Sequence, residues 1–300
     1  MNKRFGWLPA FFALLMGLHL AGQTAQADII YAATGGFNPG SLYTLNGSTG
    51  AGTLVGALVD ANLQPYALTG LAFDPVTGIL YGSTSSASPT ASGHLVRVDP
   101  ATGAITDIGA YGLNTLSDIT FTSNETLYGW RSAGDHSLYT VNLATGAATI
   151  VAISDIGHGF GGGALAANAA NVLYLTPDSQ TNPPGTLRTV SKTTGQTTII
   201  ATLSGAPVIT DGNIMSIDAM KFDESGNLLG INNLGSGFNT IATTHLVRIN
   251  TTTGAITDIG PSINYLDAIA IQFSAVPEPG SLALIAVGLT GLFAARRWRR

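Results

Sequence analysis

The stretch from His94 to Gly109, HLVRVDPATGAITDIG, returns nearly unchanged from His245 to Gly260 as HLVRINTTTGAITDIG. A chain that repeats itself at this length is built from copies of one small unit, each burying its apolar face against a neighbour. Looser copies run from Ser41 through Gly50 to Gly56, from Ser137 through Gly146 to Ala152, and from Thr186 through Gly195 to Ala201, which makes five. Each copy reads as a hairpin. Apolar residues line the first strand (Leu95, Val96 and Val98 in the second copy), and an Asp, Asn or Ser opens the turn. A Gly then takes the left-handed position before the return strand. The Asp or Asn side chain can satisfy turn amides, so its recurrence is turn chemistry.

Ahead of four hairpins lies a second strand pair. Leu71-Ala72-Phe73 turns through Asp74 to Gly78 into Ile79-Leu80-Tyr81-Gly82, and Ile119 to Phe121 leads to Leu127 to Trp130. Ala164 to Ala166 leads to Val172 to Tyr174, and Met220-Lys221-Phe222 leads to Leu228 to Gly230. Each full unit thus has four short strands, and its turn glycine (50, 103, 146, 195, 254) recurs every 43 to 59 residues, a spacing suited to propeller blades. The first hairpin has only Ile29 to Ala32 before it, one strand short. The missing strand appears at the other end, from Leu266 to Phe273. Joining the two ends in one sheet completes a fifth blade and removes the open edges of a linear array. The expected fold is therefore all-β, a five-bladed β-propeller closed by its N- and C-terminal strands, flanked by an N-terminal signal helix and a C-terminal hydrophobic helix. A two-sheet sandwich or an open solenoid is the alternative.

Both ends read as addresses. Asn2-Lys3-Arg4, an apolar run from Trp7 to Leu20 and the small-x-small site Ala25-Gln26-Ala27 form a secretory signal pattern, with cleavage after Ala27. The chain ends with Pro277-Glu278-Pro279, an apolar run from Leu282 to Ala295 and the basic residues Arg296, Arg297, Arg299 and Arg300 around Trp298. That run is shorter than the ~20 apolar residues of a comfortable membrane span. A basic cluster behind it can hold a translocating chain with its arginines on the cytoplasmic side. The divisions expected are 1–27 signal peptide, 28–274 repeat body and 275–300 sorting and anchor segment.

The C-terminal segment, with its Pro-Glu-Pro triplet, small residues Gly288 and Gly291 and closing arginines in that order, resembles the PEP-CTERM proteins of Gram-negative bacteria, the substrates of exosortase. The resemblance covers roughly the last 25 residues. It implies passage through the Sec export machinery, a transient stop in the inner membrane, processing by exosortase near the triplet, and release to the cell surface or extracellular matrix.

Two of the 12 basic residues lie in the signal segment and four in the last five residues, while 16 of the 17 acidic residues lie in the body, the other being Glu278. The body is strongly acidic, which argues against nucleic acid and anionic membranes as partners. No cysteine is present, so an oxidising destination brings no disulfide.

Few residues stand out as chemistry. Asp118, Asp218 and Asp267 fall near the starts of the innermost strands, Asp118 one position out of line with the other two. Together they could hold a cation such as calcium through oxygen ligands; the alternative is that each accepts backbone amides. His94 and His245 begin equivalent strands whose counterparts are Ser41, Ser137 and Thr186, which makes them strand-edge polar residues rather than a metal pair. His136 and His158, beside Asp135 and Asp155, show no metal or triad spacing. The glycine-rich stretch from Gly157 to Gly163 lacks the Lys-Ser or Lys-Thr of a phosphate loop. No residue is assigned a catalytic role. The longer loops (82–93, 176–185, 205–216, 232–244) are the expected seats of specificity. The expectation for function is a noncatalytic surface or matrix protein that binds extracellular polysaccharide or a surface protein. An extracellular polysaccharide hydrolase or lyase is one alternative and an adhesin or ice-surface binder another.

Overall fold

The computed structural model describes residues 27–35, 39–132, 134, 136–156, 163–177, 185–205, 216–234 and 243–273. The expected signal and C-terminal helices lie outside them, as do Ala25, Pro277, Glu278, Pro279 and the four terminal arginines; Ala27 is exposed and in no element. Among the described residues no helix is long and apolar enough to cross a membrane.

Asp28–Phe273 forms one unit. Its strands, in chain order, begin with β1 (Ile29–Thr34), β2 (Ser41–Leu45) and β3 (Gly52–Ala57). The second blade holds β4 (Leu68–Phe73), β5 (Leu80–Thr84), β6 (His94–Val98) and β7 (Ile105–Ala110), and the third β8 (Asp118–Phe121), β9 (Leu127–Arg131), β10 (Ser137–Val141) and β11 (Ala148–Ile153). The fourth holds β12 (Ala164–Ala167), β13 (Leu173–Thr176), β14 (Thr186–Val190) and β15 (Thr197–Thr202). A two-residue β16 (Ser204–Gly205) follows, then β17 (Ser216–Phe222), β18 (Leu228–Leu234), β19 (Thr243–Ile249) and β20 (Ala255–Pro261), and last β21 (Leu266–Gln272).

The five sheets are the five blades, and the first has the order β21-β1-β2-β3. Ile29 stands opposite Gln272 and Ile30 opposite Ile271, so the chain ends share one antiparallel ladder, as the missing strand required. The inner strands β21, β4, β8, β12 and β17 adjoin in turn and return to β21, which closes the ring.

Side chains alternate across a strand, so each blade serves two neighbours. On β1, Tyr31 and Ala33 enter the core shared with the second blade, and Ile30 and Ala32 that shared with the fifth. The remaining three cores likewise each lie between two adjacent blades. Fully buried leucines such as Leu42, Leu95 and Leu165 fill them, each contributing roughly 1.5–3 kcal/mol by burial.

Two features of the hairpins go beyond the sequence reading. Every outer hairpin carries a bulge at the same point, leaving Val55, Ile108, Val151, Ile200 and Ile259 without a ladder partner. A bulge re-aims its extra side chain, and each of these five residues packs on the core beside its blade. The turn glycines also have a second task. Gly146 donates to the Asn142 carbonyl at 2.8 Å with φ +77°, as turn chemistry demands, yet a Cβ there would also strike the Gly109 carbonyl of the preceding blade. Gly50, Gly103, Gly195 and Gly254 lie against the preceding blade in the same way, Gly50 meeting Gly260 across the ring closure.

The short strand β16, which the repeat did not suggest, pairs in parallel with Ala255–Ile256 of β20. Elsewhere linkers satisfy the same edge singly: Ile105 N–H donates to the Val59 carbonyl at 2.8 Å, Ala148 N–H to that of Tyr111 at 3.0 Å, and Thr197 N–H to the Asp155 carboxylate at 2.8 Å.

Candidate functional site

The heads of the inner strands differ from blade to blade. On β4, β17 and β21 the ladder skips one residue, namely Thr69, Asp218 and Asp267. These are equivalent bulge positions. Asp118 instead pairs regularly with Trp130, in the place held by Gly70, Ala219 and Ala268 on the other strands. The register therefore accounts for its being one position out of line.

Asp118 is fully buried and engaged on every side. Its carboxylate accepts the N–H of Ile119 at 2.8 Å and that of Leu165, on the next blade, at 3.0 Å. Lys221 Nζ lies 2.9 Å from both carboxylate oxygens and also donates to the carbonyls of Met220 at 2.8 Å and Leu165 at 3.1 Å. The third, fourth and fifth blades are thus tied at one point. Burial pushes the Asp118 carboxyl up to about 6, against the opposing pull of Lys221 and the two amides. Burial likewise lowers Lys221, against the pull of Asp118. Desolvation outweighs attraction for both partners, the usual balance for an ion pair withdrawn from water.

Asp267 is a different case. It is half-buried, and no hydrogen bond to its carboxylate is found among the described residues. Burial first, then the charges of Asp218 and Asp118, hold its carboxyl well above the usual range. A side chain at Gly35 would collide with this carboxylate, so glycine there makes room for it. Asp218 and Asp118, the other two aspartates expected at the inner strands, are therefore both within electrostatic reach of Asp267. Among the described residues no group of three or more His, Cys, Asp or Glu could hold a metal ion. Calcium at this point would have to compete with Lys221 for Asp118.

The two histidines are placed in separate blades. His94 Nδ1 lies 2.9 Å from Asp107, and His245 Nδ1 lies 3.0 Å from Asp258, each pair within its own hairpin. In the other three copies the positions read Ser41 with Leu54, Ser137 with Ile150 and Thr186 with Ile199. Asp thus appears only where His stands across from it. His136 is buried, with its ring 6.2 Å from that of Trp130. His158, Asp135 and most of the glycine-rich stretch lie outside the described residues, as do large parts of loops 176–185, 205–216 and 232–244.

Sequence reasoning missed Lys221. A signal was available: the residues aligned with it on the other inner strands are Ala72, Thr120, Ala166 and Ala270, so a lysine there is a charge in an apolar, crowded row.

Residues 275–300 match the family model for the PEP-CTERM protein-sorting motif. The chain carries a PEP-CTERM tail. The tail implies an exported protein processed by exosortase and sorted to the surface or exterior of a Gram-negative cell. No curated protein matches this PEP-CTERM chain. Among solved structures it is similar to a chain of the nidogen/laminin complex, with 13% identity, 83% of this chain and 99% of that one covered, and a TM-score of 0.52. That likeness concerns the fold alone. A gluconolactonase from Xanthomonas campestris is similar at 15% identity over 81% of this chain and 80% of that one, with a TM-score of 0.46.

Proposed function

We propose that the propeller is a noncatalytic binding or structural body, delivered through Sec, held briefly in the inner membrane by residues 281–300, and released by exosortase to bind extracellular polysaccharide or a surface protein. The observation that carries this reading is how the carboxylates are spent. Asp60, Asp74, Asp99 and Asp223 accept amides of their own turns, and Asp155 caps Thr197. Asp107 and Asp258 face histidines, and Asp118 faces Lys221. Groups fixed in this way serve the fold. They are not placed for acid and base work on a substrate.

The test is an array of matrix polysaccharides probed with the purified protein, beside assays for new reducing ends and unsaturated products. Binding without product supports the proposal, and product formation contradicts it. A second reading, a polysaccharide hydrolase or lyase, draws on one feature: burial, then the charges of Asp218 and Asp118, raise the Asp267 carboxyl well above the usual range, the direction a general acid needs. Turnover abolished by Asp267→Asn would establish it.

A further inference from the structure

We propose that Lys221 and Asp118 join covalently after folding, as an intramolecular isopeptide bond between Nζ of the lysine and Cγ of the aspartate. The geometry is that of a nucleophile held against a carboxyl group away from water. Nζ is 2.9 Å from each oxygen, a forked contact that holds the amine directly against the carboxyl group whose carbon it attacks. The side chains are 9% and 0% exposed.

The surrounding donors and acceptors fit the reaction as well as they fit an ion pair. An amine has two N–H bonds, and two carbonyls, of Met220 and Leu165, stand ready to receive them. Its lone pair is then left for Asp118. On the carboxyl side, the amides of Ile119 and Leu165 point at the two oxygens, where they stabilise the negative charge of a tetrahedral intermediate. Burial works against the charged forms of both partners, raising the carboxyl and lowering the ammonium, which brings the reactive amine and acid closer in energy to the ion pair.

The step balances without any further reagent. Nitrogen attacks Cγ, a C–N bond forms, and the carbonyl electrons move onto oxygen. Collapse breaks the other C–O bond, and the hydroxyl leaves as water with a proton that came from nitrogen. The product is an amide bridging residues 103 apart in a chain without cysteine, with two buried charges removed.

The decisive experiment is the intact mass of the wild-type protein recovered after export, with its termini identified, followed by tandem mass spectrometry of a digest. The expected mass is lower than that of the sequence by one water, with a branched peptide joining Lys221 to Asp118. In denaturant, Lys221 should resist acetylation while Lys192 reacts. A mass equal to the sequence, with Lys221 acetylated in denaturant, would overturn the proposal. The Lys221→Arg protein should show no loss of water, and a loss of water there would also overturn the assignment to Lys221.

Discussion

Lys221 reaches past the fourth blade to meet Asp118 on the third, with Nζ 2.9 Å from both carboxylate oxygens and 3.1 Å from the carbonyl of the intervening Leu165. Removing one member leaves the other buried and uncompensated, at a cost of about 3–5 kcal/mol. Lys221→Met should lower stability by at least that amount in denaturant titration, and the double variant Lys221→Met, Asp118→Leu, which leaves no lone buried carboxylate, should lose less. Equal losses in the single and double variants would deny the pair its role.

The turn glycines permit a controlled comparison. Gly78 and Gly146 both have positive φ, but a Cβ at Gly78 meets nothing, whereas one at Gly146 meets the preceding blade. Gly78→Ala should cost only the left-handed strain of about 1–2 kcal/mol. Gly146→Ala should cost that and roughly 1–3 kcal/mol more for overpacking. Thermal melts of the two proteins decide it, and equal losses would mean that turn chemistry is the glycine's whole task.

Acidity should stabilise the body through Asp267. Its folded carboxyl lies above the ordinary value of 3.8, so the folded chain binds a proton that the unfolded chain has released. Such a group contributes its full stability below the unfolded value and loses it as pH rises through the folded one. From its ordinary value of 3.8 up to that raised value, stability from this group falls with rising pH. The turn acids Asp74 and Asp99 work oppositely. Burial raises Asp74, but the bonds from Val76 and Thr77 hold it low overall, and the Ala101 amide with Thr102 lowers Asp99. Their contribution is lost only as pH falls below the ordinary range. The free Asp118 carboxyl, pushed up to about 6, works in the same direction as Asp267, so melts at about pH 5 and about pH 8 should show the higher midpoint at the lower pH, and Asp267→Asn should reduce that difference.

The bulged residues test the packing argument. Val151 has no ladder partner and packs on the core between the third and fourth blades. Val151→Ala should cost about 1–2 kcal/mol by lost burial, while Ile153→Ala, at a position 61% exposed, should stay within about 0.5 kcal/mol of wild type. The reverse ranking would mean that the bulge does not turn Val151 inward.

What the sequence made legible was local or repeated. Asn46, Asp99, Asn142, Ser191 and Asn250 mark their turns because side chain and backbone act within four residues. The unmatched strands at the two ends revealed the closure by simple absence. The bulges stayed hidden because each is a mismatch in count between two strands, while the apolar run containing Val55 or Ile108 reads equally well as plain alternation. The pairing of Lys221 with Asp118 stayed hidden because it depends on the curvature of three blades. The three inner-strand aspartates were found from their strand positions, yet one turned out to serve the lysine.

The ring closed by both ends of the body is the claim on which the rest stands. Ile29 and Gln272 are opposite one another in the closing ladder, at a spacing that suits a disulfide, and the natural chain has no cysteine to interfere. The double variant Ile29→Cys, Gln272→Cys should oxidise within one chain to a circularised body, with faster mobility in non-reducing denaturing gels and a higher melting temperature. Only intermolecular dimers, or free thiols under oxidising conditions, would contradict the closure.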